Sequence, residues 1–164
     1  MNRFFLSAAT ILCSIVSRPV FAVKEGDVLP KIQVLDASGK AVEPWAGKKT
    51  LINFWATWCD ACKVELKEMR GEIAKVGADR QVLFVSLDKD SDKAKSWMTD
   101  QFKDSPEMTK SLYFDPSFKL ADNLGVESFP MTLIVDERGK VLKIQEGFKE
   151  GSGSTAALFG ELKK

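Results

Sequence analysis

The segment from Leu51 to Lys67 constrains the fold more than any other part of the chain. A continuous apolar run, Leu51–Ala56, leads through an aromatic turn to two cysteines, Cys59 and Cys62. Such a run is typical of a strand that is buried on both faces, and the residues after it have helical periodicity. The sequence therefore predicts a strand that delivers two thiols to the N-terminus of a helix.

The predicted helix carries a single apolar stripe at helical spacing. Its members are Cys62, Leu66, Met69, Ile73 and Val76. The stripe places Cys62 toward the core, whereas Cys59 lies one turn earlier, where a partner molecule can reach it. The dipole of a helix N-terminus stabilises a thiolate. We therefore predict that Cys59 is the attacking thiol and Cys62 the resolving thiol of a reversible disulfide.

Other uses of a cysteine pair fit this sequence less well. A structural zinc site needs four ligands, but the chain has no histidine and its third cysteine is Cys13. Haem attachment requires a histidine directly after the second cysteine, where this chain has Lys63. A static disulfide across so short a loop would constrain the unfolded chain little. The sequence favours dithiol redox chemistry, and we expect no metal and no cofactor.

Two motifs far apart in the chain carry a family resemblance. One is N-F-W-A-T-W-C-x-x-C-K-x-E at 53–65, and the other is G-V-E-S-F-P-M-T at 125–132. Together with the G-D pattern that opens the domain, they resemble the TlpA/ResA-type extracytoplasmic thioredoxin-like proteins. The resemblance implies a thioredoxin fold, thiol–disulfide exchange and a reducing role outside the cytoplasm. The departures, Ala61 within the C-x-x-C and the large Phe129 and Met131, concern the choice of substrate.

Turn-forming residues divide the rest of the chain into further predicted elements. Gly125 predicts a helix end, and Asp136–Gly139 predicts a hairpin turn. The resulting order is βαβ followed by ββα around a central mixed sheet, with an N-terminal β-hairpin extension; it predicts an α/β thioredoxin fold. The predicted elements are a hairpin from Ile32–Leu35, strands at 51–56, 82–87, 131–135 and 141–145, helices at about 60–76 and from an N-cap at Ser91 through Phe102, a short helix with Asp115 as N-cap and Pro116 as N1, and a final helix after the loop at 151–154.

The Phe129-Pro130 segment is the predicted substrate side of the site. Proline is poorly tolerated inside a strand ladder, so Pro130 belongs at a strand entry. An X–Pro bond prefers trans by only about 0.5–1 kcal/mol, and the resemblance implies a cis bond that faces the C-x-x-C. The Phe129 backbone would then pair with an extended substrate. We expect Trp55 in the core and Trp58 as an apolar rim around Cys59.

Acidic residues near the cysteines bear on the direction of electron transfer. Asp60 adjoins Cys59, and Glu65 lies one turn beyond Cys62. A nearby carboxylate disfavours a thiolate, and Lys63 compensates only in part, so the sequence favours a reductant over a strong oxidant. Glu65 has the spacing of the active-site glutamate of the resembled family, which implies proton exchange with Cys62. By spacing alone, Glu65 fits a solvated helix position equally well.

The N-terminal residues have the pattern of a secretory signal. A short basic start precedes the apolar stretch Phe4–Val16, which is shorter than the about twenty residues that span a bilayer. We expect cleavage after Ala22, which gives a signal peptide at 1–22 and a thioredoxin-like domain at 23–164 in the periplasm. Arg18, between the apolar stretch and the cleavage site, leaves an uncleaved membrane anchor as the alternative.

Composition limits the partners of the protein. The chain has 24 Lys and Arg against 23 Asp and Glu and no basic run, so nucleic acid is not a predicted partner. We expect a monomer that acts on disulfide-containing extracytoplasmic proteins, with apocytochrome c as one candidate, and that receives electrons from a membrane thiol carrier. The alternatives are a dithiol oxidase or isomerase, and a copper-binding metallochaperone module in which Met131 assists the thiolates.

Overall fold

The computed structural model of the protein describes residues 22–31, 33–43 and 47–164. In these ranges, seven strands form one mixed sheet in the order β2-β1-β5-β4-β3-β6-β7, and five helices flank it. The elements are β1 (Val34–Leu35), β2 (Ala41–Val42), β3 (Lys49–Trp55), α1 (Asp60–Ile73), β4 (Arg80–Ser86), α2 (Ser91–Gln101), α3 (Pro106–Lys110), β5 (Leu112–Phe114), α4 (Lys119–Leu124), β6 (Met131–Val135), β7 (Val141–Glu146) and α5 (Ser154–Lys163). The predicted α/β order, with βαβ, ββα and the N-terminal hairpin, is confirmed.

The central strand β3 organises a core on each face of the sheet. All seven of its residues are buried, and it pairs parallel with β4 and antiparallel with β6. Leu51 and Trp55 face a cluster built with α1, α2 and α5, while Ile52 and Phe54 face a cluster that includes α4. Each large apolar side chain buried in this way contributes roughly 1.5–3 kcal/mol of transfer free energy. Burial on both faces fixes the register of β3, and with it the position of the cysteines that follow.

The start of α2 differs from the prediction. The N-cap is Asp90 rather than Ser91, because the Asp90 carboxylate accepts hydrogen bonds from the backbone amides of Asp92 and Lys93. Both residue types are good N-caps. The prediction of Ser91 was wrong by one position.

The short helix α4 also begins later than predicted. It starts at Lys119, so Asp115 and Pro116 are not its N-cap and N1. Asp115 still caps the helix from a distance, since its carboxylate accepts from the amides of Leu120 and Ala121 at 2.8 and 3.0 Å. The predicted end at Gly125 is confirmed, with φ of 65° in the left-handed region.

Some predictions lie partly or wholly outside the described residues. The predicted signal peptide at 1–22 does so except for Ala22, and Ile32 of the predicted hairpin does so as well. Within the described ranges, no helix combines the length and apolar character needed to cross a membrane.

The helix α1 ends at Ile73, short of the predicted end at Val76.

Candidate active site

The two cysteines lie where the buried strand β3 passes into α1. Cys59 is the N-cap of the helix, and its sulfur accepts a hydrogen bond from the Cys62 amide at 3.2 Å. The two residues form a disulfide with an S–S distance of 2.05 Å, so the structure represents the oxidised state. The positive end of the α1 dipole is therefore directed at the Cys59 sulfur, where it stabilises a thiolate once the bond is reduced.

The two sulfur-bearing residues differ in their access to solvent. Cys59 is 9% exposed and Cys62 is fully buried. The stripe on α1 causes this difference, because Cys62, Leu66 and Met69 all pack into the core beneath the helix. The placement agrees with the predicted division into an attacking and a resolving thiol, which remains a prediction about the chemistry.

Glu65 is fully buried on α1, so the alternative of a solvated helix position is wrong. Its Oε2 accepts from Asn53 Nδ2 at 2.8 Å, and its Oε1 accepts from Gln145 Nε2 at 3.3 Å. The pKa of Glu65 is raised to about 7, chiefly by burial; the Asn53 hydrogen bond opposes this rise and the nearby Glu68 carboxylate adds to it. A carboxyl group with this pKa can both accept and donate a proton near neutral pH.

Asp60 and Lys63 form an ion pair on the exposed side of the same turn. Lys63 Nζ lies 2.6 Å from Asp60 Oδ1. The hydrogen bond and charge of Lys63 lower the pKa of Asp60, although the Asp60 side chain is almost fully exposed and the pair is screened by solvent. Because Lys63 is held by Asp60, its charge is partly neutralised before it can stabilise a thiolate.

A second buried carboxyl group, Asp88, was not predicted from the sequence. It accepts from the Thr57 amide at 2.9 Å, from Thr57 Oγ1 at 2.6 Å and from Ser86 Oγ at 3.0 Å. These bonds attach the turn that carries Trp58 and Cys59 to the end of β4. A signal was present, since Asp88 follows a buried run, and the carboxyl ends of parallel strands meet at one edge of a sheet.

The predicted substrate side lies beside the reactive turn. The Phe129–Pro130 bond is cis, as predicted. The Phe129 ring contacts the Trp58 ring edge to face, with centroids 5.6 Å apart, and Trp58 is 55% exposed. Trp55 is fully buried and packs against another tryptophan, as expected of a core residue. The aromatic contact places Phe129, and with it the adjoining Pro130, beside Trp58, the residue before Cys59.

An open cleft of about 400 Å³ is lined in part by Trp58. Leu87 and Phe118 supply its apolar lining, and Lys89 and Lys93 also line it. Within the described residues, no group of three or more His, Cys, Asp or Glu side chains could hold a metal ion. The disulfide sulfurs can exchange electrons, and the buried Glu65 carboxyl group, with a pKa of about 7, can exchange a proton near neutral pH.

Known proteins resemble the chain in sequence and in structure. The model of the AhpC/TSA family matches residues 26–144. The thioredoxin-like protein YneN of Bacillus subtilis is 31% identical over 137 residues, which cover 80% of this chain and 76% of YneN. The thiol-disulfide oxidoreductase ResA of Bacillus thuringiensis is 31% identical over 153 residues, which cover 88% and 82% of the two chains. A Chlorobium tepidum structure described as a thiol:disulfide interchange protein, DsbE, has a TM-score of 0.72 and 26% identity, covering 86% of this chain and 96% of its own.

Proposed function

Because this chain belongs to the AhpC/TSA family and to the ResA-type thiol–disulfide oxidoreductases, we propose that it reduces disulfides in extracytoplasmic proteins. Family membership establishes the enzyme class, thiol–disulfide exchange on a thioredoxin-like fold. The direction of electron flow, the residue roles and the location are the proposal. The signal-like pattern of residues 1–22 supports export to the periplasm.

The first step is attack by the reduced Cys59 thiolate on one sulfur of a substrate disulfide. The Cys59–substrate bond forms, the substrate S–S bond breaks, and the leaving sulfur departs as a thiolate that takes a proton from solvent. Cys59 is suited to this step because it is the more accessible sulfur and caps the helix N-terminus. The product is a mixed disulfide.

The second step is resolution by Cys62. Glu65 accepts the Cys62 proton, the Cys62 thiolate attacks the Cys59 sulfur, and the second substrate sulfur leaves as a thiolate and is protonated. The enzyme is then in the oxidised form that the structure represents. A dithiol donor, which we infer to be a membrane thiol carrier, returns two electrons to the pair.

The substrate segment lies against the Phe129 side of the turn in this proposal. The Phe129 backbone pairs with an extended peptide, and the Trp58 and Phe129 rings form an apolar wall beside Cys59. Such a site accepts an unfolded chain around a cysteine, and apocytochrome c is one candidate of that kind. The large side chains of Phe129 and Met131, on either side of Pro130, limit which substrate side chains fit beside it.

The observation that carries the reducing direction is the placement of carboxyl groups around the pair. Glu65 is buried on α1, Asp88 is buried after β4 and bonded to Thr57, and Lys63 is paired with Asp60. The thiolate form therefore gains little stabilisation beyond the helix dipole. A weakly stabilised reduced form makes the disulfide hard to reduce and the dithiol a good reductant.

The redox potential of the Cys59–Cys62 pair tests this proposal. Equilibration against glutathione buffers should give a value nearer about −270 mV, that of thioredoxin, than about −120 mV, that of the oxidant DsbA. A value above roughly −180 mV, that of protein disulfide isomerase, would instead make the protein an oxidase or an isomerase.

A further inference from the structure

A row of polar side chains crosses three neighbouring strands beneath α1. Asn53 of β3 is paired in register with Thr132 of β6, and Thr132 with Gln145 of β7. Side chains at paired positions of adjacent strands project from the same face of the sheet. Asn53 and Thr132 are buried, whereas Gln145 is half-buried because β7 is the edge strand. The row therefore runs from the core of the protein to its surface.

The two ends of this row hold the two oxygens of Glu65. Asn53 Nδ2 donates to Oε2 at 2.8 Å and to Thr132 Oγ1 at 2.9 Å. Gln145 Nε2 donates to Oε1 at 3.3 Å. Asn53 Oδ1 has no hydrogen-bond partner among the described residues, so one acceptor remains free on the amide that contacts Oε2.

A fully buried carboxyl group that exchanges protons needs a connection to solvent. The titratable neighbour of Glu65 on its own helix is Glu68, which accepts from the Gly151 amide in the loop before α5. The strands packed against Glu65 bond to it through the neutral side chains of the row, and the charged Lys143, two residues before Gln145 on β7, is paired with Glu25. Of the side chains described in the row, only that of Gln145 reaches the surface.

We propose that Gln145 is a positioning residue that fixes Oε1 of Glu65 and connects this buried carboxyl group to solvent at the edge of the sheet. The inference rests on the proposed proton exchange between Glu65 and Cys62. The Gln145 amide donates to the carboxylate form, and its own oxygen, after rotation of the amide, accepts from the protonated form. The edge position of β7 lets the amide rotate without disturbing the core.

The test is a titration of the Glu65 carboxyl carbon by NMR in the oxidised protein, in which the cysteines do not titrate. The variant Gln145→Met keeps the length of the side chain and removes its donor. Loss of the donor should raise the pKa of Glu65 by about half to one unit, because the carboxylate is then less stabilised. The matched control is Gln81→Met, the same change at another half-buried strand glutamine, which contacts Tyr113 instead. It should leave the titration of Glu65 unchanged.

A second variant keeps the test decisive if the Met variant unfolds. Gln145→Glu places a carboxyl group against Oε1 and should raise the pKa of Glu65 further, because two like groups then share one position. An unchanged Glu65 titration in either folded variant would overturn the role of Gln145.

The rate at which the mixed disulfide resolves separates the role of Gln145 from the role of Glu65. In Gln145→Met, the pH at which the mixed disulfide begins to resolve should move upward with the Glu65 titration, slowing resolution about threefold near neutral pH. If the titration moves but Glu65→Gln resolves at the wild-type rate, the role of Gln145 stands and the proposed role of Glu65 is wrong.

Discussion

Two buried carboxyl groups flank the reactive turn, and they differ in how their oxygens are satisfied. Asp88 accepts three hydrogen bonds of 2.6–3.0 Å from Thr57 and Ser86. Glu65 accepts one bond at each oxygen, from Asn53 at 2.8 Å and from Gln145 at 3.3 Å. Burial is nearly complete for both, so the difference lies in the donors.

The difference indicates two kinds of role for similar groups. Asp88 is tied to the backbone and hydroxyl of the turn, so its bonds define where Trp58 and Cys59 lie. Glu65 has fewer donors and no cation bonded to it in the described part of the chain, and burial raises its pKa to about 7. We infer that Asp88 holds the geometry of the site while Glu65 moves a proton.

The largest effect should come from replacing the cysteines, because both sulfurs take part in exchange. In this account Glu65 takes the proton of Cys62 and not that of Cys59. Cys62→Ser should abolish turnover and trap a covalent mixed disulfide through Cys59, because no thiol remains to release the substrate. Cys59→Ser should abolish turnover and trap nothing. Non-reducing electrophoresis with a disulfide-containing protein distinguishes them. Efficient trapping by Cys59→Ser would reverse the assignment of the two thiols.

The next largest effect is on the pH dependence of stability, which we expect Glu65 to cause. Its folded pKa of about 7 lies above the ordinary glutamate value of 4.5, so the unfolded chain loses this proton first as the pH rises. The free energy of unfolding should therefore fall by about 2 kcal/mol between pH 5 and pH 7 and level off above about pH 8. Glu65→Gln should lack this fall, and the absence of histidine from the chain keeps the pH window clear. Denaturant unfolding of the oxidised proteins at pH 5, 6, 7 and 8 measures it.

Replacing Asp88 should lower stability without changing its dependence on pH, unlike replacing Glu65. Asp88→Ala leaves the half-buried Thr57 donors and the buried Ser86 hydroxyl without their acceptor and should cost about 2 kcal/mol of stability. The fall in stability between pH 5 and pH 7 should persist, because Glu65 is unchanged. Asp88→Asn, which keeps one acceptor oxygen, is the control and should cost less. Loss of the pH-dependent fall in Asp88→Ala would mean that the two groups are coupled.

The smallest effect should come from Phe129 on the aromatic side of the turn, since the hydrogen bonds to the two carboxyl groups come from other residues. Phe129→Ala removes the edge-to-face contact with Trp58, and such contacts contribute about 0.5–1.5 kcal/mol. Exchange with a protein disulfide should therefore slow about fivefold, while exchange with oxidised glutathione should change little. Equal slowing with both substrates would show that Phe129 supports the turn and does not bind the protein substrate.

The sequence predicted the parts of the molecule that depend on local pattern. The strand before Cys59, the stripe through Cys62 and the hairpin after Met131 each follow from periodicity and turn residues, and all three are present in the structure. The short elements α3 and β5 were not predicted. They are too short for a periodic signal, and they form because neighbouring strands and helices cover them.

The two carboxyl groups mark where prediction from the sequence ends. Glu65 lies at the flank of the α1 stripe, and one of its two hydrogen bonds comes from Gln145, a residue 80 positions later on an edge strand. Asp88 acts on Thr57, 31 positions earlier, only because β3 and β4 end side by side. Neither contact leaves a local pattern, whereas the spacing of Glu65 from the cysteines was sufficient to raise the question of its role.

The rate at which the mixed disulfide resolves, followed from pH 5 to pH 9, tests the central claim most directly. The complex is formed with a protein substrate and quenched by acid at set times, in the wild-type protein and in Glu65→Gln. We predict that the wild-type rate rises with an inflection near pH 7 and that Glu65→Gln resolves about 100-fold more slowly at neutral pH, with its inflection moved toward about 8.5, the range of an unassisted thiol. The same inflection at the same pH in both proteins would contradict the claim that Glu65 takes the Cys62 proton.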